Sequence, residues 1–351
     1  MSKVELHDGF LRISEPDRTF DFHLRWLRHN CDVDRHAATG ERLIESADLP
    51  AVLGVDEIAI DDAVLRVRWT HDRRVSRFPL AWLREHAYAV DRELLPRPPS
   101  LVSNLEVDGE TGPAVLAERV LARLAARGAA VIRRNIPATE AELEAWIEEL
   151  EERGLRATAC HVGRTEDLRI DPADLLGNED AAIGLHTDQP FLEEAPRYTL
   201  LQCIRAADTG GEILLADAAA AFDYLASLDR EAADLLSTIS IRFHGHQRDV
   251  AVVAPLVGRR DGRFQIRSSY FATSPYRVPF AKMESWYRAH DRFVEILRDP
   301  RHHYGLRLGP DEVLLYDNHR MVHGRTAFRG PRWFRSIFFR LAYELGDDGQ
   351  G

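Results

Sequence analysis

A mainly β fold with flanking helices is what this sequence predicts: a jelly-roll core over residues 96–351, preceded by a small N-terminal β-rich domain over residues 1–95. Short runs that alternate apolar and polar residues, or are β-branched, recur along the chain. Helical periodicity is confined to a few stretches, and Leu94-Leu95-Pro96-Arg97-Pro98-Pro99-Ser100 reads as a linker between two differently patterned parts. Many strands and few helices in a long domain fit a closed or double-sheet β architecture.

Taken in order, Phe10–Ile13, Glu57–Ile60 and Val64–Trp69 read as strands of the small domain, which Phe78-Pro79-Leu80-Ala81-Trp82-Leu83 closes. After the linker, Leu116, Val120, Leu121 and Leu124 mark one helix face, stopped by Gly128 and followed by a strand at 129–132. Thr139 and Glu142 form a capping box for a second helix carrying Leu143, Trp146, Ile147 and Leu150. Both stripes read as core packing. Further strands are expected at 199–204, 212–216, 264–267, 312–316 and 333–343, with helices near 218–238 and 282–298.

With 351 residues, 45% hydrophobic and 29% charged, the chain has the composition of a folded, soluble protein. The start lacks the apolar run of a signal peptide, and no stretch is long and apolar enough to span a bilayer. Three scattered cysteines, Cys31, Cys160 and Cys203, point to reduced thiols and a cytoplasmic location. A formal charge of −11 argues against nucleic acid as a partner.

The chemistry-bearing signal is His186-Thr187-Asp188, followed far downstream by His323 and then Arg335. A histidine and a carboxylate two residues apart point the same way along an extended strand. A second histidine from a distant strand then completes one face of an octahedron, leaving positions for a co-substrate and dioxygen on ferrous iron. Pro190 cannot join a central ladder, which puts the motif at a sheet edge or barrel mouth. Arg335 alternates with Ile337, Phe339, Leu341 and Tyr343, and a lone arginine there makes sense if it grips the far carboxylate of a dianion. The commoner fate of such an arginine is a structural salt bridge. Arg332, expected in a turn, and Arg340, expected on the opposite face of the strand, are rivals for the anion role.

HTDQPF, LLQCIRAADTGGEILLAD (200–217), YDNHRMVHGRTAF and the late Arg335 together resemble the gamma-butyrobetaine/trimethyllysine dioxygenase branch of the TauD/TfdA superfamily, over the carboxyl-terminal two-thirds of the chain. LRWLRHNC (24–31) extends the likeness weakly to the small domain. The resemblance implies a double-stranded β-helix and an Fe(II)- and 2-oxoglutarate-dependent dioxygenase. Iron would be held by His186, Asp188 and His323, and 2-oxoglutarate by Arg335. Arg325 would neutralise a co-substrate carboxylate or make a structural salt bridge. The co-substrate would leave as succinate and CO2 while a substrate C–H bond is hydroxylated. A homo-oligomer, a dimer by analogy, is also implied.

Departures from the branch matter as much. Relatives carry zinc on three cysteines and a histidine in the small domain. Here Cys31 is followed by Val33 and His36, and Arg73 or Arg74 stands near the later ligand position, with His71 close by, so no structural zinc is expected. The aromatic cage for a trimethylammonium group is depleted: Val162 and Glu166 occupy expected aromatic positions, 180–185 lacks a tyrosine, and Leu341 replaces another ring. Glu166 is a candidate for a primary amine, and His161 or Arg164 for an anionic group, though all three read equally as solvated loop residues. Phe191, Tyr270 and Phe271 are candidate pocket walls. Ile213 replaces the hydroxyl residue that follows the paired glycines in relatives, with Thr209 a candidate to compensate.

The leading expectation is an oxygenase acting on a small polar metabolite: an amino acid derivative, an amine, a phosphonate or a sulfonate. Asp188 argues against halogenation, which needs the carboxylate's place on the metal. The competing readings are a cupin-like metal-dependent isomerase or hydrolase, and a non-catalytic 2-oxoglutarate or metabolite sensor.

Overall fold

The computed structural model describes residues 2–15, 19–86, 103–134, 140–158, 165–169, 179–245, 250–260 and 262–342. The proline-rich linker, Thr139 of the capping box, Cys160, His161, Arg164 and Tyr343 lie outside the described residues.

Two sheets face each other. The larger runs Glu166–Arg169, Trp333–Leu341, Tyr198–Arg205, Val313–Asp317, Ala129–Arg133, Glu106–Asp108, with Leu155–Thr158 also paired to Trp333–Leu341. The smaller runs Ile183–His186, Met321–Arg325, Ile213–Asp217, His303–Leu306. Register sorts the larger sheet's side chains into two faces. Leu200, Ile337, Leu315 and Ala130 lie abreast across four strands. They pack beneath Leu116, Val120, Trp146 and Ile147 of the helices Pro113–Arg127 and Glu140–Glu152. The next row, Leu201, Ser336, Leu314 and Val131, turns inward. Its apolar members join Cys203, Tyr316 and Phe334 and meet Ile213, Leu215 and Leu306 of the smaller sheet. Burying each such aliphatic side chain is worth roughly 1.5–3 kcal/mol, so a one-residue slip that exchanged the faces would be prohibitive.

The predicted elements are present with small shifts at their ends. Gly128 closes the first helix in the left-handed region at φ 78°, where a Cβ would meet Met321 Sδ at 2.7 Å. The expected helix near 218–238 is two helices, Ala218–Leu228 and Arg230–Thr238. Asp229 interrupts them and caps the second by accepting from Ala232 N–H at 3.0 Å. Trp333–Leu341 is the longest strand.

The N-terminal β-rich region holds two three-stranded sheets, Lys3–His7 with Phe10–Ser14 and Thr19–His23, and Val55–Asp61 with Val64–Trp69 and Val75–Pro79. Pro79 ends the last strand and leads into the helix Leu80–Glu85. Trp26, Trp69 and Phe78 share one apolar cluster with Met283, Trp286 and Phe293 of the helix Phe280–Arg298. Around Cys31, Arg28 bridges Asp34 and Asp72, and Arg74 pairs with Asp34 at 2.6 Å. Among the described residues no helix is long and apolar enough to cross a membrane.

Candidate active site

His186, Asp188 and His323 converge where the two sheets meet, their ligand atoms all within 4.8 Å of one another. They form the only such group of metal-capable side chains among the described residues. His186 ends the strand Ile183–His186 and pairs in register with His323 on Met321–Arg325. The expectation that His186 and Asp188 share one strand is corrected: the strand stops at His186, and Asp188 lies in the following bend, beside Gln189 at φ 47°. Asn318 replaces the missing ladder. Its side chain accepts from Asp188 N–H at 2.7 Å and donates to the Asp188 carbonyl at 3.1 Å and the Pro196 carbonyl at 3.0 Å. Gly324 lets the two strands close, since a Cβ there would lie 2.7 Å from the Ile183 carbonyl oxygen.

The donors are oriented for one ion. His186 Nδ1 lies 2.9 Å from the Gly184 carbonyl, which fixes the proton on Nδ1 and leaves Nε2 as the donor atom. Asp188 Oδ2 accepts from Thr199 Oγ1 at 2.8 Å and from the Tyr316 hydroxyl at 2.6 Å. That leaves Oδ1 facing His323 Nε2 at 3.8 Å and His186 Nε2 at 4.0 Å. Burial, and then the facing His323, push His186 down to about 3; burial likewise lowers His323. Burial alone would raise the Asp188 carboxyl, but the two histidines and its hydroxyl donors hold it below its ordinary value. Neutral imidazoles beside an ionised carboxylate are the protonation states that a divalent metal requires. The residues fit a ferrous ion.

Strand parity corrects the anion-binding expectation. Arg335 does alternate with Ile337 and Phe339, but theirs is the outer, helix-covered face, opposite Gln202 and Asp167. Arg335 Nε lies 3.3 Å from Asp167 Oδ1, the structural fate named as its alternative. Leu341 packs on that outer cluster too, so its missing ring says nothing about the pocket. Arg340 faces inward but is held by Glu194, at 2.7 Å to both its carboxylate and its carbonyl. Thr209 is exposed, in a two-residue ladder with Phe328 and Arg329.

Arg332 is the inward arginine with no carboxylate partner among the described residues. It is 8% exposed, and its Nε is buried with no hydrogen-bond partner. It stacks at 3.8 Å over Phe334 and 5.5 Å over Phe328. Arg325 lies 4.7 Å over the same Phe328 and donates to the carbonyls of Glu179 and Ala181. Burial, and then repulsion from Arg325, push Arg332 down to about 9. Burial pushes Arg325 to about 10. Two buried guanidinium groups beside one ring are costly unless an anion joins them. Arg325 stands two residues from His323 on the same strand face, about 7 Å along it.

Of the other candidates, Glu166 pairs in register with the inward Ser336. Tyr270 packs on Gly184, and the Phe271 ring lies 5.0 Å from the His186 ring. Phe191 presses on Gly245. Sequence reasoning missed Thr199, Tyr316 and Asn318. The last two sat inside the quoted YDNHRMVHGR motif; Thr199 carried no signal.

Two imidazoles and a carboxylate between facing β-sheets are the donor set of non-heme iron oxygenases. The chain belongs to the taurine catabolism dioxygenase TauD, TfdA family, whose profile matches residues 94–338, and is an Fe(II)/2-oxoglutarate-dependent oxygenase. It is 28% identical to the gamma-butyrobetaine dioxygenase of Pseudomonas sp. (strain AK-1) over 341 residues, 92% of this chain and 88% of that one. It is 25% identical to the mitochondrial trimethyllysine dioxygenase of Mus musculus over 352 residues, 93% of this chain and 82% of that one. In fold it is similar to the PvcB protein of Pseudomonas aeruginosa, with a TM-score of 0.51 at 19% identity over 70% of this chain and 91% of that one.

Proposed function

We propose that this chain hydroxylates an unactivated C–H bond of a small polar metabolite, with 2-oxoglutarate leaving as succinate and CO2. His186, Asp188 and His323 would hold the ferrous ion, and Arg332, flanked by Arg325, would take the distal carboxylate of 2-oxoglutarate. The ion, when bound, supplies dioxygen activation coupled to oxidation of the keto acid. The observation that carries the reading is the pairing of a converged triad with a buried arginine that has no counter-ion among the described residues.

The protein's own residues do the positioning. Thr199 and Tyr316 fix which Asp188 oxygen faces the histidines. Leu201, Cys203, Leu314 and Phe334 give the inner face a dry wall. Burial pushes the Cys203 thiol up to about 12, so this wall carries no thiolate to be oxidised. Glu166, on the inward row with Ser336, supports a substrate with a positively charged end.

The test is anaerobic loading with ferrous iron and 2-oxoglutarate, then succinate measured after oxygen is admitted, beside His186→Ala. Succinate from the wild type alone is expected. The absence of both iron-dependent 2-oxoglutarate binding and succinate in the wild type would overturn the reading.

A further inference from the structure

A second cleft, about 420 Å³ in volume, lies between the small domain and the catalytic domain. The small domain contributes Arg35, Arg77, Trp82 and His86, and the catalytic domain Arg242 and His244. Against these stands one carboxylate, Asp32. Neither Arg77 nor Arg242 is held in an ion pair among the described residues. Burial pushes the Arg35 guanidinium below its ordinary pKa, with Cys31 and Asp32 pulling it partly back. One wall is a flat aromatic surface: His86 stacks on Trp82 at 4.3 Å, and Phe78 stacks behind Trp82 at 6.1 Å. Cations converging beside a stacked aromatic wall are what a planar organic anion requires.

The cleft is separate from the iron pocket but shares a strand with its wall. Arg242 and His244 project from one face of Ser240–Gly245. His244 N–H donates to the Ala272 carbonyl at 2.8 Å, next to Phe271, and Gly245 carries the Phe191 ring. None of the lining residues belongs to the triad or to the Arg325–Arg332 pair.

We propose that this interdomain cleft is a binding site for a small planar organic anion, a phosphomonoester in which Arg242, Arg77 and Arg35 meet the phosphate and the ring extends the aromatic stack on the His86 side of Trp82. Calorimetric titration of the full chain with adenosine monophosphate, adenosine and inorganic phosphate as probes tests it. The expected order is adenosine monophosphate tightest, phosphate weaker, adenosine undetectable. Arg242→Gln should weaken the first about ten- to hundredfold, and Trp82→Leu should weaken it while sparing phosphate. Because Trp82 belongs to the domain's packing, Arg77→Gln, at an exposed position, serves as a second charge variant. Arg332→Gln should leave adenosine monophosphate binding unchanged while losing 2-oxoglutarate, so this site and the iron pocket fail separately. Unchanged affinity in both Arg242→Gln and Arg77→Gln, loss in Arg332→Gln instead, or no binding of either phosphate compound overturns the proposal.

Discussion

Replacing Arg332 by methionine should make the free protein more stable and the enzyme useless. The pKa of Arg332 falls from the ordinary arginine value to about 9, chiefly through burial. At about 1.36 kcal/mol per pH unit, that is on the order of 5 kcal/mol against keeping the side chain charged where it lies. Methionine fills a similar volume without the charge, and such replacements of buried ionic groups gain on the order of 1–4 kcal/mol. Denaturant unfolding of the metal-free protein should therefore shift to higher midpoint in Arg332→Met. Loss of one partner from a buried charged contact costs on the order of 2–5 kcal/mol of binding, so 2-oxoglutarate should bind roughly 30-fold to several thousand-fold more weakly. Anaerobic titration of the iron-loaded protein reads that number. Arg335→Met is the control: its partly exposed pair with Asp167 is worth about 0–1 kcal/mol, and neither measurement should move much. Wild-type co-substrate affinity in Arg332→Met, or loss of affinity in Arg335→Met alone, would refute the assignment.

Thr199→Val and Tyr316→Phe each remove one of the two donors on Asp188 Oδ2 and should lower Co(II) affinity on the order of 10- to 100-fold, measured by titration without turnover. Gly324→Ala would drive a Cβ into the backbone of Ile183–Leu185, costing about 1–3 kcal/mol of stability and displacing His186; a lowered Tm together with weakened metal binding is expected. Burial lowers the His290 pKa, but Glu45 and Asp291 raise it further, so its net folded value lies above 6.5. The folded state then holds that proton more tightly. The stability it contributes is complete below pH 6.5 and is lost as pH rises through the raised value. Urea midpoints should fall over that window in the wild type, with a shallower slope in His290→Gln; equal slopes would count against it.

Much of the fold was legible because its signals are local. Period-two runs gave the strands, and the 116–124 stripe with Gly128 gave a helix and its stop. The break at Asp229 had only one local mark, an aspartate standing where the apolar stripe should continue; there the backbone turns extended, at φ −155°, and the side chain caps the next helix through Ala232. The triad was legible as a motif set, yet its local geometry was not. His186 and Asp188 converge through a bend that Asn318 pins from another part of the chain, a contact without local periodicity.

The arginines show where such reading stops. Sequence periodicity correctly grouped Arg335 with Ile337 and Phe339, and correctly set Arg340 on the other face. It assigned the wrong face to the pocket, because both faces of Trp333–Leu341 are buried: one beneath helices, one against the smaller sheet. A two-sided core erases the apolar-in, polar-out contrast that identifies an interior. What separates the arginines is partnership. Arg335 has Asp167 and Arg340 has Glu194, whereas Arg332 has no carboxylate partner among the described residues and lies over rings beside a like charge. A buried guanidinium is tolerable in the long run only with an anion, so the residue that is least satisfied in the free chain is the one whose ligand is supplied from outside.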